Sequence, residues 1–238
     1  MLSQVPITQK DISPKLLPTI GIFSDKIKKQ IRKLVLKYCG RQGGDLRCNQ
    51  EWFNNYILDF MVKQPKAPLK NKNTGEIFID LKKRNCNRIT FLTEKTLLPL
   101  LMMNQLKLDS ILFNKEMLDI KQSDHWDLLA YNGHNSKFGI HRDTIPECPY
   151  GDDYQMCTML VGLGNEIKDN NHDGNTDVYL PSFQIIKKCF DNPNLIKFLK
   201  QKELNKFSFP QSKSFGEYLL FSSEDLHESC QINRGYKI

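Results

Sequence analysis

The amino-acid sequence predicts an α+β protein, with helices in its first third and then a body of short strands arranged as a sandwich or jelly roll. Three observations predict this. Apolar residues recur at helical spacing in two N-terminal segments, Lys26–Tyr38 and the stretch around Trp52–Met61. The second half changes to short β-favouring runs, and Gly, Asn, Asp and Pro clusters divide them. Many short strands broken by turn signals are what a two-layered β body requires.

The elements follow in order. In Lys26–Tyr38, the residues Ile27, Ile31, Leu34, Val35 and Tyr38 form one stripe, Ser24 suits the N-cap, and Gly40 suits the end. The second helix carries Trp52, Phe53, Tyr56, Ile57, Phe60 and Met61 on one stripe and stops before Pro65. Gln64–Gly75, rich in Pro, Lys and Asn, reads as a linker or loop, and Glu94–Asn104 as a third helix. Strands are predicted at Leu128–Tyr131, Lys137–Arg142, Cys157–Leu163, Thr176–Leu180 and Glu217–Phe221. A further helix is inserted among them, capped by Asp191 or Asn192, with Pro193 in its first turn and Leu195, Ile196, Phe198 and Leu199 on its apolar side. No internal repeat is present. The organisation expected is an N-terminal helical segment and linker at 1–75 and a core at 76–238, forming one structural unit.

Composition bounds the function. A chain of 238 residues is long enough for one well-buried domain, and 39% hydrophobic with 26% charged residues argues against disorder. The net charge of +7 favours acidic partners in general. Much of the excess is lysine in an asparagine-rich chain, a pairing that an AT-rich genome also produces. The most apolar run, Thr96–Met103, is too short to span a bilayer and contains Pro99. The first residues lack the basic-then-apolar order of a secretion signal, so no membrane span and a cytoplasmic or nuclear location are expected. Seven cysteines with no CxxC pair indicate neither a zinc knuckle nor a complete disulfide framework, and a reducing compartment follows.

The chemistry is concentrated in two stretches. In LLAYNGHNSKFGIHRDT (Leu128–Thr144), a strand would place His141 and Asp143 on one face and Arg142 on the other. A third ligand, His227, comes from LLFSSEDLHESCQINRGYKI, where an apolar strand runs into a polar turn. Two histidines and one carboxylate on adjoining strands form the facial ligand set of non-haem iron(II) oxygenases, which leaves positions open for cosubstrate and oxygen. An HxD pair alone is weak, and His125 with Asp127 repeats the spacing. Context separates the two, because His141–Asp143 is followed by Thr144, a polar loop and the β-like CTMLVGL.

Around the triad stand Tyr131, Gly133 and Phe138 upstream, and Gly216–Phe221 before His227. Lys237 lies ten positions after His227, preceded by Gly235 and Tyr236. Arg234 is an alternative cation whose spacing fits less well. In this pattern the chain resembles the iron(II)- and 2-oxoglutarate-dependent dioxygenases, particularly the prolyl 4-hydroxylase-like branch, over roughly Leu128 to Ile238. The interval from Tyr131 to His141 is one residue longer than in that branch.

The resemblance implies a double-stranded β-helix, a jelly-roll variant, with the N-terminal helices packed outside its major sheet. It implies Fe(II) held by His141, Asp143 and His227, with no catalytic residue beyond these ligands. Lys237 would meet the far carboxylate of 2-oxoglutarate, since a dianion chelating iron at one end needs a fixed cation at the other. Tyr131 would be a second cosubstrate contact. The activity implied is hydroxylation of a substrate C–H with O2 and 2-oxoglutarate, with ascorbate as reductant. The substrate implied is a residue in a protein or peptide, as in prolyl hydroxylases. Two alternatives stand beside it: an oxygenase acting on a nucleic-acid base or small metabolite, and a non-catalytic metal-binding jelly-roll module.

Other signals have plainer readings. Asp169, Asn171, Asp173, Gly174 and Asp177 imitate a calcium loop, but Leu180 replaces the closing Glu, and a polar hairpin loop accounts for them. Lys28, Lys29, Arg32, Lys33 and Lys37 surround the first helix's apolar stripe; a solvated face explains them, with contact to nucleic acid or acidic lipid as the other reading. Cys157 and Cys230 read as small buried thiols.

Overall fold

A computed structural model describes residues 18–41, 49–70, 74, 76–92, 125–141, 143, 157–168, 174–179, 206–209, 215–223 and 225–238. In chain order its elements are β1 (Thr19–Ile22), α1 (Asp25–Tyr38), α2 (Gln50–Met61), β2 (Leu69–Lys70), β3 (Ile77–Phe78), β4 (Asn87–Leu92), β5 (His125–Asn132), β6 (Ser136–His141), β7 (Cys157–Val161), β8 (Asn165–Ile167), β9 (Thr176–Tyr179), β10 (Lys206–Phe209), β11 (Glu217–Ser222), β12 (Leu226–Ile232) and β13 (Gly235–Lys237). The protein is sheet-rich, with its helices at the front. Among the described residues no helix is long and apolar enough to cross a membrane.

Helix α1 forms where its stripe predicts. Ser24 occupies the N-cap with extended backbone and no side-chain capping bond. At the other end the Gly40 N–H donates to Lys37 O and the Arg41 N–H to Leu36 O, with Gly40 at φ +89°. This double closure needs a left-handed residue after the cap, which glycine adopts without a Cβ clash. Helix α2 is capped by the Asn49 side chain, which accepts from the Trp52 N–H at 2.8 Å.

The strands make three larger antiparallel sheets, ordered β1-β11-β7, β10-β9-β12-β6 and β4-β5-β13-β8, and a small one, β2-β3. The main core joins the helices to two of these sheets. Ile27, Ile31, Val35 and Leu36 of α1 and Phe53, Ile57 and Met61 of α2 pack with Leu128 and Ala130 of β5, Tyr218 and Leu220 of β11, and Ile238. A separate cluster, Val178, Leu219 and Phe221, fills the space between β9 and β11. Each such side chain contributes roughly 1.5–3 kcal/mol on burial.

The five strands expected from the sequence are present as β5, β6, β7, β9 and β11, and both front helices form. The structure adds strands that the sequence reading lacks. β1 pairs with β11, and β2, inside the expected linker, pairs with β3. β4 pairs with β5 along its whole length. Its alternation was readable in principle: Ile89 and Phe91 pack on the helices, while Thr90 sits opposite Asp127. The helices expected at Glu94–Asn104 and around 191–199 lie outside the described residues, as do Arg142 and Thr144.

Candidate metal centre

Strands β6 and β12 run side by side, and His141 pairs directly with His227 across them. On its other side β12 pairs with β9. From the facing sheet, Phe221 of β11 touches the His227 ring at a centroid distance of 4.7 Å. The two histidines therefore stand between two sheets, His227 buried and His141 partly so.

Asp143 completes the group. One ligand atom from each of His141, Asp143 and His227 lies within 4.8 Å of the others. Asp143 Oδ1 is 3.4 Å from His141 Nε2 and Oδ2 is 3.5 Å from His227 Nε2. One expectation needs correction here. Strand β6 ends at His141, so the alternation that was to put His141 and Asp143 on one face stops short of Asp143. The carboxylate reaches the histidines from beyond the strand end, where Thr158 Oγ1 donates to it at 2.7 Å.

The donor set suits a divalent cation. His141 Nδ1 contacts Gly139 O at 2.8 Å, and His227 Nδ1 contacts Asp225 O at 3.0 Å. A carbonyl only accepts, so each Nδ1 carries a proton and each Nε2 is the ring nitrogen that faces Asp143. Burial, reinforced by His141, pulls His227 down to about 4, so its ring is neutral near pH 7. Burial works against ionisation of Asp143, but the His141 ring, the His227 ring and the Thr158 hydroxyl outweigh it and hold the carboxyl below its usual range. A divalent cation among the two Nε2 atoms and the carboxylate would take an electron pair from each. Two imidazoles and a carboxylate match the ligand types of non-haem iron(II).

The two residues expected to contact a cosubstrate also meet. Tyr131 of β5 and Lys237 of β13 are cross-strand partners, and Lys237 Nζ lies 4.8 Å from the Tyr131 ring centroid. Lys237 is 8% exposed, and its ammonium donates to Ser229 Oγ at 2.7 Å and Gly174 O at 3.1 Å. Burial pulls it down to about 7 and pushes the Tyr131 phenol well above its usual value. Ser229 follows His227 by two on β12, so it links the Lys237–Tyr131 pair to the strand that carries His227. Arg234, the alternative cation, is exposed at the turn before β13.

Sequence reasoning missed Thr158, Ser223 and Ser229, single hydroxyls that no local pattern distinguishes. The competing pair separates from this centre. Asp127 accepts from Arg88 Nη2 at 2.7 Å and from Thr90 Oγ1 at 2.6 Å on the β4–β5 ladder. The side chain of His125 lies outside the described residues. Between His141 and Phe138, β6 carries one more residue than β12 does between His227 and Ser229, a bulge within the lengthened interval from Tyr131. Of the calcium-like loop, 169–173 and Leu180 lie outside the described residues, and Asp177 accepts from Ser208 Oγ at 2.7 Å.

No family model matches the sequence, and no curated protein does. Solved structures do. The chain resembles prolyl 4-hydroxylases and other 2OG-Fe(II) oxygenases. A prolyl-4-hydroxylase from Pseudomonas putida is 12% identical over 96% of this chain and 94% of its own, with a TM-score of 0.43. An oxidoreductase of the 2OG-Fe(II) oxygenase family from Burkholderia pseudomallei is 12% identical over 78% and 75%, with a TM-score of 0.41. A prolyl hydroxylase from Trichoplax adhaerens, solved with a hypoxia inducible factor oxygen degradation domain peptide fragment, is 11% identical over 89% and 88%, with a TM-score of 0.46. The similarity is distant.

Proposed function

We propose that the chain is an Fe(II)- and 2-oxoglutarate-dependent dioxygenase built on a double-stranded β-helix, and that it hydroxylates a residue in a protein or peptide. The observation that carries the reading is the convergence of His141, Asp143 and His227 within 4.8 Å, with both Nδ1 atoms turned to backbone carbonyls. When bound, iron supplies the redox centre at which O2 and 2-oxoglutarate yield succinate, CO2 and the hydroxylated substrate. His141, Asp143 and His227 would hold the ion through two ring nitrogens and a carboxylate. The Gly139 and Asp225 carbonyls fix the tautomer and aim of the two rings. Lys237, set by Ser229 and Tyr131, would meet the remote carboxylate of 2-oxoglutarate as a cation. Phe138 and Phe221 flank the two imidazoles and exclude water from that side. The substrate class follows from the prolyl 4-hydroxylase-like sequence pattern around Tyr131, His141–Thr144 and Lys237.

The test is anaerobic loading with Fe(II), then addition of O2, 2-oxoglutarate and ascorbate, with succinate release measured with and without proline-containing peptide libraries. One equivalent of bound iron, succinate formation and a gain of one oxygen on a peptide are expected. Stoichiometric iron with no succinate under any condition would overturn the enzyme reading in favour of a metal-binding module. Turnover on nucleobases or small metabolites alone would overturn the substrate class.

A further inference from the structure

Asp143 is the least supported member of the triad by backbone. It lies two residues past the end of β6, and its side chain is 41% exposed, against 18% for His141 and 5% for His227. No strand ladder fixes its direction. What holds it comes from the facing sheet: Thr158 on β7 donates to Asp143 Oδ2 at 2.7 Å. Thr158 Oγ1 also lies 2.9 Å from the hydroxyl of Ser223, buried just past the end of β11. Thr158 has one hydroxyl proton, and the ionised carboxylate accepts only, so that proton points to Asp143 and Ser223 is the donor in the second bond. The order of donation is therefore Ser223 to Thr158 to Asp143.

We propose that Thr158, backed by Ser223, is a positioning residue that aims Asp143 at the metal. This inference rests on the iron reading above. A β-branched residue on a strand has few χ1 choices, so the Thr158 hydroxyl has a fixed direction. The strand carrying it is anchored in register with β11, Thr158 opposite Phe221 and Cys157 opposite Ser222. Oδ2, engaged by Thr158, lies 3.5 Å from His227 Nε2 while Oδ1 lies 3.4 Å from His141 Nε2, so the bond sets the carboxylate between the two rings. Valine has nearly the same shape and no hydroxyl, so Thr158→Val removes the bond and little of the packing. Serine keeps the hydroxyl and loses a methyl group.

The experiment titrates the full chain anaerobically with Co(II), following heat and ligand-field absorption, for wild type, Thr158→Val, Thr158→Ser, Ser223→Ala and Asp143→Ala. Thr158→Val is expected to weaken binding by about tenfold or more, the range for groups that orient a metal ligand, and to change the Co(II) spectrum. Thr158→Ser is expected to restore both, and Ser223→Ala to give a smaller loss. Thermal melting checks each fold, and Thr158→Ala serves if the valine variant does not fold. Wild-type affinity and an unchanged spectrum in Thr158→Val would overturn the proposal. Failure of the iron reading looks different: wild type takes up no ion, or Asp143→Ala binds as well as wild type, and that result removes both.

Discussion

His141 and His227 are direct cross-strand neighbours, in register between β6 and β12, with ring centroids 4.2 Å apart at 54°. Neither ring can be shifted along its strand without moving away from the other. His141→Ala and His227→Ala are each expected to abolish stoichiometric iron uptake, measured after anaerobic loading and desalting. The stability effects differ. His227 is buried and is expected to cost about 1–3 kcal/mol on truncation, while the partly buried His141 costs less. Retention of one tightly held iron in both variants would place the metal elsewhere.

Lys237→Ala is expected to raise the KM for 2-oxoglutarate about tenfold or more and to leave iron binding intact, because it removes a cosubstrate contact and no metal ligand. Lys237→Arg retains part of the function, since the charge remains but reach and geometry change. Arg234→Ala has little effect. The reverse ranking of Lys237 and Arg234 would show that the ten-residue spacing misassigns the cation.

The same lysine gives a pH signature in stability. Its folded value is about 7 against 10.5 for the free group. Above 10.5 the amine is neutral in both states and imposes no penalty. As pH falls from 10.5 to 7 the unfolded chain takes up a proton that the folded chain refuses, so stability drops; below 7 the penalty is constant. Lys237→Met is thus expected to stabilise the ligand-free protein by an amount on the order of a few kcal/mol near pH 7, with the gain vanishing toward pH 10.5. Denaturant unfolding across that range measures it, and a pH-independent difference would contradict the assignment.

Gly235→Ala is expected to destabilise severely. The residue has φ +94°, and a Cβ there would collide with the Glu166 carbonyl on β8, which cannot move without breaking the β13–β8 ladder. Left-handed strain alone is about 1 kcal/mol, and the backbone clash adds more. Urea unfolding of the variant within 0.5 kcal/mol of wild type would show that β13 tolerates a different path.

Legibility in the sequence followed locality. The His141–Asp143 pair and the interval from His227 to Lys237 lie within short stretches, so spacing exposed them. The helices were legible because their stripes face one core. β12 was not, for a physical reason: its inward face carries His227 and Ser229, both buried and polar, so the strand lining the site inverts the apolar-in pattern by which strands are found. Thr158 and Ser223 come together only when β7 and β11 pair, a contact across 65 residues. Asp143 meets His141 as expected, but from beyond the end of β6 and not by alternation along it.

Among the described residues, each of the three larger sheets has an interior strand from the last stretch of chain: β11 between β1 and β7, β12 between β9 and β6, β13 between β5 and β8. The central ladders are thus closed by Glu217–Lys237, a stretch that follows all of its partner strands in sequence. Without that stretch β1 has no partner among the described strands, and one edge each of β5, β6, β7 and β9 stays open. Long-range pairing of this kind slows folding and leaves unpaired edges exposed to association. The fold is therefore least protected until Glu217–Lys237 docks, and that one short segment converts open edges into three sheets and a closed ligand set.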